Sequence, residues 1–200
     1  EWENAGYESA EAYYNSFTER ASDFMGKMSG FTPDSSGMLV STGKKSLGID
    51  PSALMQQQST FAQMGSSMGM TSERALKLSN ALTAIGADLA SIRNENFETV
   101  WKNMSSGIVG MSRAWDKYGV NIRNVNLQQK LNELGINANI QALNQQDKAL
   151  LRGIILLENT KFAWGDLAST LNTPANQFRL LSANISNLAR IIGNLFMPVV

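Results

Sequence analysis

The sequence predicts an all-α protein, a multi-helix bundle of short and medium helices with long amphipathic, heptad-bearing helices at both ends. Three observations lead there. Apolar residues recur at alternating steps of three and four in segment after segment, the spacing that lines one face of a helix. Start and stop signals punctuate those segments: Asp50-Pro51 and Thr173-Pro174 read as N-cap then first helical residue, and Gly119-Val120 and Gly135-Ile136 read as C-terminal stops. Between Pro51 and Val200 no apolar/polar alternation runs far enough to make a useful strand.

Taken in order, residues 1 to 29 place Tyr7, Ala10, Tyr14, Phe17, Ala21, Phe24 and Met28 on a heptad-like seam ended by Ser29-Gly30. Residues 30 to 48, with five glycines or prolines in a Ser/Thr-rich filling, read as a linker. Within it Met38-Leu39-Val40 has strand character but no visible partner. Asp50 opens a helix through Leu54, Phe61 and Met64 to about Gly65, on which Gln56-Gln57-Gln58 marks a polar face. After a Gly/Met-rich turn, Thr71 or Ser72 caps a helix on which Leu78, Leu82, Ile85, Leu89 and Ile92 follow the same rhythm of fours and threes. Its small residues Ala81, Ala84, Gly86, Ala87 and Ala90 admit a close neighbour, so this helix is expected at the centre.

Asn94 is expected to cap a short helix carrying Phe97, Val100, Trp101 and Met104, interrupted by Gly107 and Gly110. The next apolar set is Ile108, Met111, Trp115 and Tyr118, stopping at Gly119-Val120 in a Schellman pattern. Asn124 caps a helix from Val125 to Leu134 with Leu127, Leu131 and Leu134 inward. Asn144 with Asp147 three residues on resembles a capping box and opens a helix whose Leu150, Leu151, Ile154, Ile155, Leu157 and Phe162 form a wide face for deep burial. Gly165 ends that region, and Pro174 begins a helix with Phe178, Leu181, Ile185, Leu188, Ile192 and Leu195 on a second heptad seam. The organisation expected is an N-terminal amphipathic helix over 1–29, a linker over 30–48, a helical core over 49–172, and a C-terminal helix over 173–200 leading into a missing remainder.

Composition narrows the chemistry. The chain has 17 basic and 17 acidic residues, and neither cysteine nor histidine. That removes disulfides, thiol nucleophiles, imidazole proton transfer and nearly every zinc site with nitrogen or sulfur ligands. The zero net charge conceals an acidic start: residues 1 to 36 hold seven acids against Arg20 and Lys27. No apolar run approaches the roughly 20 residues of a membrane helix. With no initiator methionine and no signal-peptide pattern at Glu1, the sequence reads as an excised piece of a longer protein.

An enzyme built from this chain would have to use carboxylates. Asp88 and Asp166 stand out in the echo Gly86-Ala87-Asp88-Leu89-Ala90-Ser91 and Gly165-Asp166-Leu167-Ala168-Ser169. The plainer reading is architectural, with Asp166 supporting a helix start and Asp88 bonded between helices. Glu8-Ser9 resembles the Glu-Ser pair of lytic transglycosylase folds, but that family's Gly-rich cleft motif is absent and Glu8 falls on a polar helix face, so we reject it. Arg113, Lys117 and Arg123 near Trp115 and Tyr118 form a thin basic-aromatic cluster that reads as a solvated face rather than a nucleic-acid surface. No catalytic, cofactor-binding or metal site is expected.

Seven pieces resemble, in order, the core region of phage tail tape measure proteins. They are the stretch from Ala81 to Ser91; Ser106-Gly107-Ile108-Val109-Gly110; Trp115-Asp116-Lys117-Tyr118-Gly119-Val120-Asn121-Ile122; Leu134-Gly135-Ile136; Asp147-Lys148-Ala149-Leu150-Leu151-Arg152; Gly165-Asp166-Leu167-Ala168-Ser169-Thr170; and Ala175-Asn176-Gln177-Phe178-Arg179. The resemblance covers roughly residues 47 to 200. Ile92 and Leu167 depart from the commonest family residues, aromatic or Leu at the first and Phe at the second, and both stay apolar.

The resemblance implies a non-enzymatic virion protein lying in the phage tail lumen, and in the host cytoplasm during assembly. Such proteins template the tail tube to a set length, leave ahead of the DNA at infection and need no cofactor. The partners implied are other copies of the chain, tail tube and tail-tip or baseplate proteins, and tail assembly chaperones. No specific nucleic-acid binding is implied, and membrane contact only through parts outside this segment. The candidate oligomer or helix-packing seams are Tyr7, Tyr14, Phe17 and Phe24 at one end and Phe178, Leu181, Ile185, Leu188, Ile192 and Leu195 at the other. A tail-borne peptidoglycan hydrolase using Asp88, Asp166 or Glu8 is the alternative.

Overall fold

Asp50 behaves as its place before a proline predicts. Its carboxylate accepts from the N–H groups of Ser52 and Ala53 at 2.8 and 3.2 Å, opening helix α1 (Pro51–Ser67). The structure, a computed structural model, describes residues 31–41, 48–133, 138–170 and 172–174. Both heptad seams, with the ten residues that define them, and the Leu134-Gly135-Ile136 stop lie outside these.

Helix α2 (Ser72–Ile92) is the axis of the fold. Every residue from Leu78 to Ala90 is buried, so the helix is covered on all sides. Thr71 accepts from the Arg74 N–H at its start. Around it pack α1, α3 (Phe97–Ile108), α6 (Gln145–Asn159), a 3₁₀ turn (Lys161–Ala163) and the one-turn α7 (Asp166–Ser169). Helices α4 (Arg113–Asp116) and α5 (Asn124–Glu133) complete the layer, α4 against α3 and α5 against α6. The class is all-α, as the spacing predicts.

Small residues let the neighbours in. A Cβ on Gly65 would lie 3.0 Å from the Ala75 methyl, which marks the close crossing of α1 on α2. Two tryptophans use glycines as seats. Trp101 lies over Gly86, where a Cβ would come within 2.4 Å of the ring, and its indole N–H donates to the Thr83 carbonyl at 3.0 Å. Trp115 repeats the arrangement over Gly107, at 1.9 Å, and donates to the Asn103 carbonyl at 3.0 Å. Each ring is thereby buried with its one polar atom satisfied.

The helix ends form a series. At Gly69-Met70, Asn94-Glu95, Gly110-Met111 and Gly119-Val120 the first residue has positive φ and the second donates its N–H five residues back, to Gly65, Ala90, Ser106 and Trp115 respectively. All four are Schellman stops, which satisfy carbonyls a helix leaves open. The sequence reading identified the one at Gly119. It misplaced Asn94, which ends α2 at φ 52° rather than starting α3; the cap of α3 is Asn96, whose side chain accepts from Glu98 and Thr99. Either asparagine fits an N-cap by composition, and the left-handed backbone that separates their roles does not show in the residue type.

Four further expectations are corrected. The linker contains an antiparallel hairpin, β1 (Phe31–Pro33) with β2 (Leu39–Ser41), turned at Asp34, whose carboxylate accepts from the N–H groups of Ser36 and Met38. Gln58 is not on a polar face: fully buried, it accepts from the Leu39 N–H and donates to the Leu39 carbonyl, both at 2.8 Å, tying β2 to α1. The segment after Ile108 makes only the single turn of α4, because Gly110 has already stopped the preceding helix. Phe162 lies beyond the end of α6 on the 3₁₀ turn and is 63% exposed rather than buried. The Asn144 cap holds, accepting from Asp147 N–H at 2.8 Å, and α6 is buried from Ala149 to Leu157.

Candidate functional site

The residue that combines unusual chemistry with a defined geometry is Asp88. It sits on α2, is fully buried, and has no cation within ion-pair distance among the described residues. Its two oxygens face the backbone that links the 3₁₀ turn to α7. One accepts from the Gly165 N–H at 2.7 Å and the other from the Leu167 N–H at 3.1 Å. Gly165 at φ 77° turns both N–H groups to the same side, forming a small concave nest for a carboxylate.

The surroundings close the joint. One turn beyond Asp88, the Ser91 and Thr170 hydroxyls lie 3.1 Å apart in a hydrogen bond. Thr170 Oγ1 also donates to the Asp166 carbonyl at 2.6 Å, so the far end of α7 is tied to the same face of α2. Ala163 and Leu167, on either side of the contact, are buried against the core. Thr173 then folds back onto the Thr170 carbonyl, at 2.9 Å through both its N–H and its hydroxyl, just before Pro174.

Burial pushes the Asp88 carboxyl up to about 7, against the lowering effect of the Gly165 and Leu167 N–H groups; the neighbouring charge of Asp166 adds to the rise. A carboxyl with that affinity for protons suits acid–base work where it meets a substrate. Here both oxygens are taken by main-chain N–H groups and the side chain has no solvent face. The arrangement holds backbone to helix.

Of the three carboxylates considered for the hydrolase alternative, Asp88 and Asp166 are brought to one joint and Glu8 lies outside the described residues. Asp166 stands in the first turn of α7, as the helix-start reading has it. The sequence reading placed Asp88 in a hydrogen bond between helices. It missed that the donors are the Gly165 and Leu167 N–H groups of the echoing motif, and that Ser91 and Thr170 extend the contact. The repeated Asp-Leu-Ala-Ser wording was the available signal.

A second polar feature is an open groove of about 450 Å³ between α5 and α6, lined by Asn121, Asn126, Gln129, Lys130, Glu158 and Asn159 among others. Lys130 pairs along α5 with Glu133 at 3.1 Å and across the groove with Glu158. Burial lowers the Lys130 pKa, but the hydrogen bonds and charges of Glu158 and Glu133 outweigh it and hold the ammonium above its ordinary range. The groove's one ammonium is thus paired from within. In the basic-aromatic cluster Lys117 pairs with Glu95, which also takes Arg93 beside the Tyr118 ring, and Arg123 pairs with Asp116, while Arg113 is exposed.

Among the described residues no group of three or more carboxylates is placed to hold a metal ion, and no helix is long and apolar enough to cross a membrane. No family model, curated protein or solved structure matches this chain. The described residues thus form an all-helical fold in which both oxygens of its most unusual acid are taken by main-chain N–H groups.

Proposed function

We propose that this chain is a structural segment of a phage or prophage tail tape measure protein. It acts in tail assembly and tail-length determination inside the tail tube, and in delivery of DNA on infection. The observation that carries the reading is the ordered set of seven sequence motifs from Ala81 to Arg179.

Support comes from where those motifs lie. The Ala81–Ser91 piece is the fully covered part of α2. The pieces at Gly107–Gly110 and Trp115–Val120 are the second tryptophan seat and two Schellman stops. The piece at Gly165–Thr170 is the far side of the Asp88 joint. All are packing features, the kind of residue an assembly protein needs. A hydrolase would need a carboxylate open to substrate, and the engagement of both Asp88 oxygens lends that reading no support.

In this reading the seams at Tyr7 to Phe24 and Phe178 to Leu195 join copies of the chain or neighbouring tail proteins. Replacing Leu181 and Leu188 with Asp in the phage gene puts charge into the second seam, at several kcal/mol for each buried, unpaired carboxylate. Electron microscopy of the lysate should then find tails missing or malformed. Normal tails at normal yield would overturn the assembly role of the seam, and an in-frame lengthening of the parent gene that leaves tail length unchanged would overturn the tape measure reading itself.

A further inference from the structure

We propose that the Arg152 guanidinium, reached past the bare backbone of Gly110 and flanked by Val109 and Met111, is a docking point for a carboxylate: a glutamate or aspartate side chain of a partner protein, carried between apolar residues. This goes beyond the reading above and does not depend on it.

The cation is where the argument starts. Arg152, on α6, is only 8% exposed and makes no ion pair among the described residues. Its Nη1 donates to the Ile108 carbonyl at 2.8 Å, at the end of α3, where the helix dipole favours a positive charge. The rest of the group is unmatched. Nε is sealed from solvent with no acceptor, and Nη2 has no hydrogen-bond partner among the described residues. Burial pushes the guanidinium pKa down and no neighbouring acid offsets it, yet an arginine keeps its proton throughout the range in which proteins work. A buried, permanent cation compensated only by a helix end gains from an added anion.

The surface above it suits one kind of anion. Gly110 is exposed, and a Cβ there would lie 3.0 Å from Nη2 and 3.3 Å from Cζ, so the absence of a side chain leaves the guanidinium edge within reach. To either side Val109 is 46% and Met111 62% exposed, two of the few large apolar side chains left open to solvent among the described residues. Lys148 stands one turn earlier on the same face of α6, with no ion pair of its own among the described residues. An acidic side chain between apolar neighbours would meet the guanidinium with its charge, and the valine and methionine with its flanks. A free phosphate would leave that apolar pair unused, and with Nη1 engaged and Nε sealed it would lack the two-pronged fork by which arginine holds phosphate.

The nitrogen-15 resonance of Arg152 Nε in the whole chain reports on the site, because its proton is shielded from exchange with water. The probes are the blocked peptides acetyl-Leu-Glu-Leu-amide and acetyl-Leu-Gln-Leu-amide, sodium acetate and inorganic phosphate. The glutamate peptide should move the resonance saturably. It should bind at least about tenfold more tightly than the glutamine peptide, the worth of one charge-assisted hydrogen bond, and more tightly than acetate, which has no apolar flanks. Met111→Ser, a change at an exposed side chain, should weaken the glutamate peptide several-fold and leave acetate binding as it was. An Nε resonance that does not move, equal binding of the two peptides, phosphate binding as tightly as the glutamate peptide, or an affinity untouched by Met111→Ser would each overturn the proposal.

Discussion

Gly107→Ala is a one-methyl change whose cost can be worked from the packing. The added Cβ would sit 1.9 Å from both Cε2 and Nε1 of Trp115, a ring that is fully buried. Carbon contacts are comfortable only at about 3.5–4.0 Å, so the indole has to retreat by about 1.5–2 Å. That retreat breaks the 3.0 Å bond from the indole N–H to the Asn103 carbonyl. Leaving that buried donor unsatisfied costs about 1–3 kcal/mol, and displacing a close-packed ring about 1–3 more. Against this, alanine in a helix interior gains about 1 kcal/mol over glycine. The expected net loss is about 1–5 kcal/mol, read as a lower midpoint in urea unfolding followed by circular dichroism. A double-mutant cycle with Trp115→Leu isolates the contact. The two changes should couple by at least about 1 kcal/mol, since the smaller side chain removes the clash. A Gly107→Ala protein as stable as the parent, or strictly additive energies, would refute the seat.

The two asparagines near the α2–α3 junction should separate by substitution. Asn94→Gly relieves a left-handed backbone and should leave stability unchanged or raise it by up to about 1 kcal/mol, whereas Asn96→Ala should lose about 1 kcal/mol with its cap; thermal melts of the pair reverse this order if Asn94 is the true N-cap. Arg152→Met should cost about 2–3 kcal/mol in chemical denaturation. The Arg152 guanidinium is buried at the C-terminal end of α3, donating to the Ile108 carbonyl at 2.8 Å, and it lies 3.0 Å from where a Gly110 Cβ would be. An unchanged midpoint for this variant would show that the carbonyl is satisfied without the arginine.

Much of the fold was legible because its signals are local. Asp50-Pro51, Thr71, Asn144 and Gly119-Val120 each act within about five residues, where chain connectivity guarantees that donor and acceptor meet. Helix spacing and the run of small residues on α2 were enough to place that helix at the centre. Where two local readings competed, as at Asn94 and Asn96, the residue type could not choose between them.

Tertiary structure alone decided the long-range pairings. Asp88 meets Gly165 across 77 residues, Gln58 reaches Leu39 across 19, and Arg152 reaches Ile108 across 44. A buried polar group must find a partner, but its sequence does not say which backbone group the packing will bring within 3 Å. The acid marked out by its repeated setting was thus identifiable as architectural from the sequence. That it closes a joint on α2 with no cation beside it, and that its carboxyl is pushed up there, follows from the burial that only the assembled helices provide.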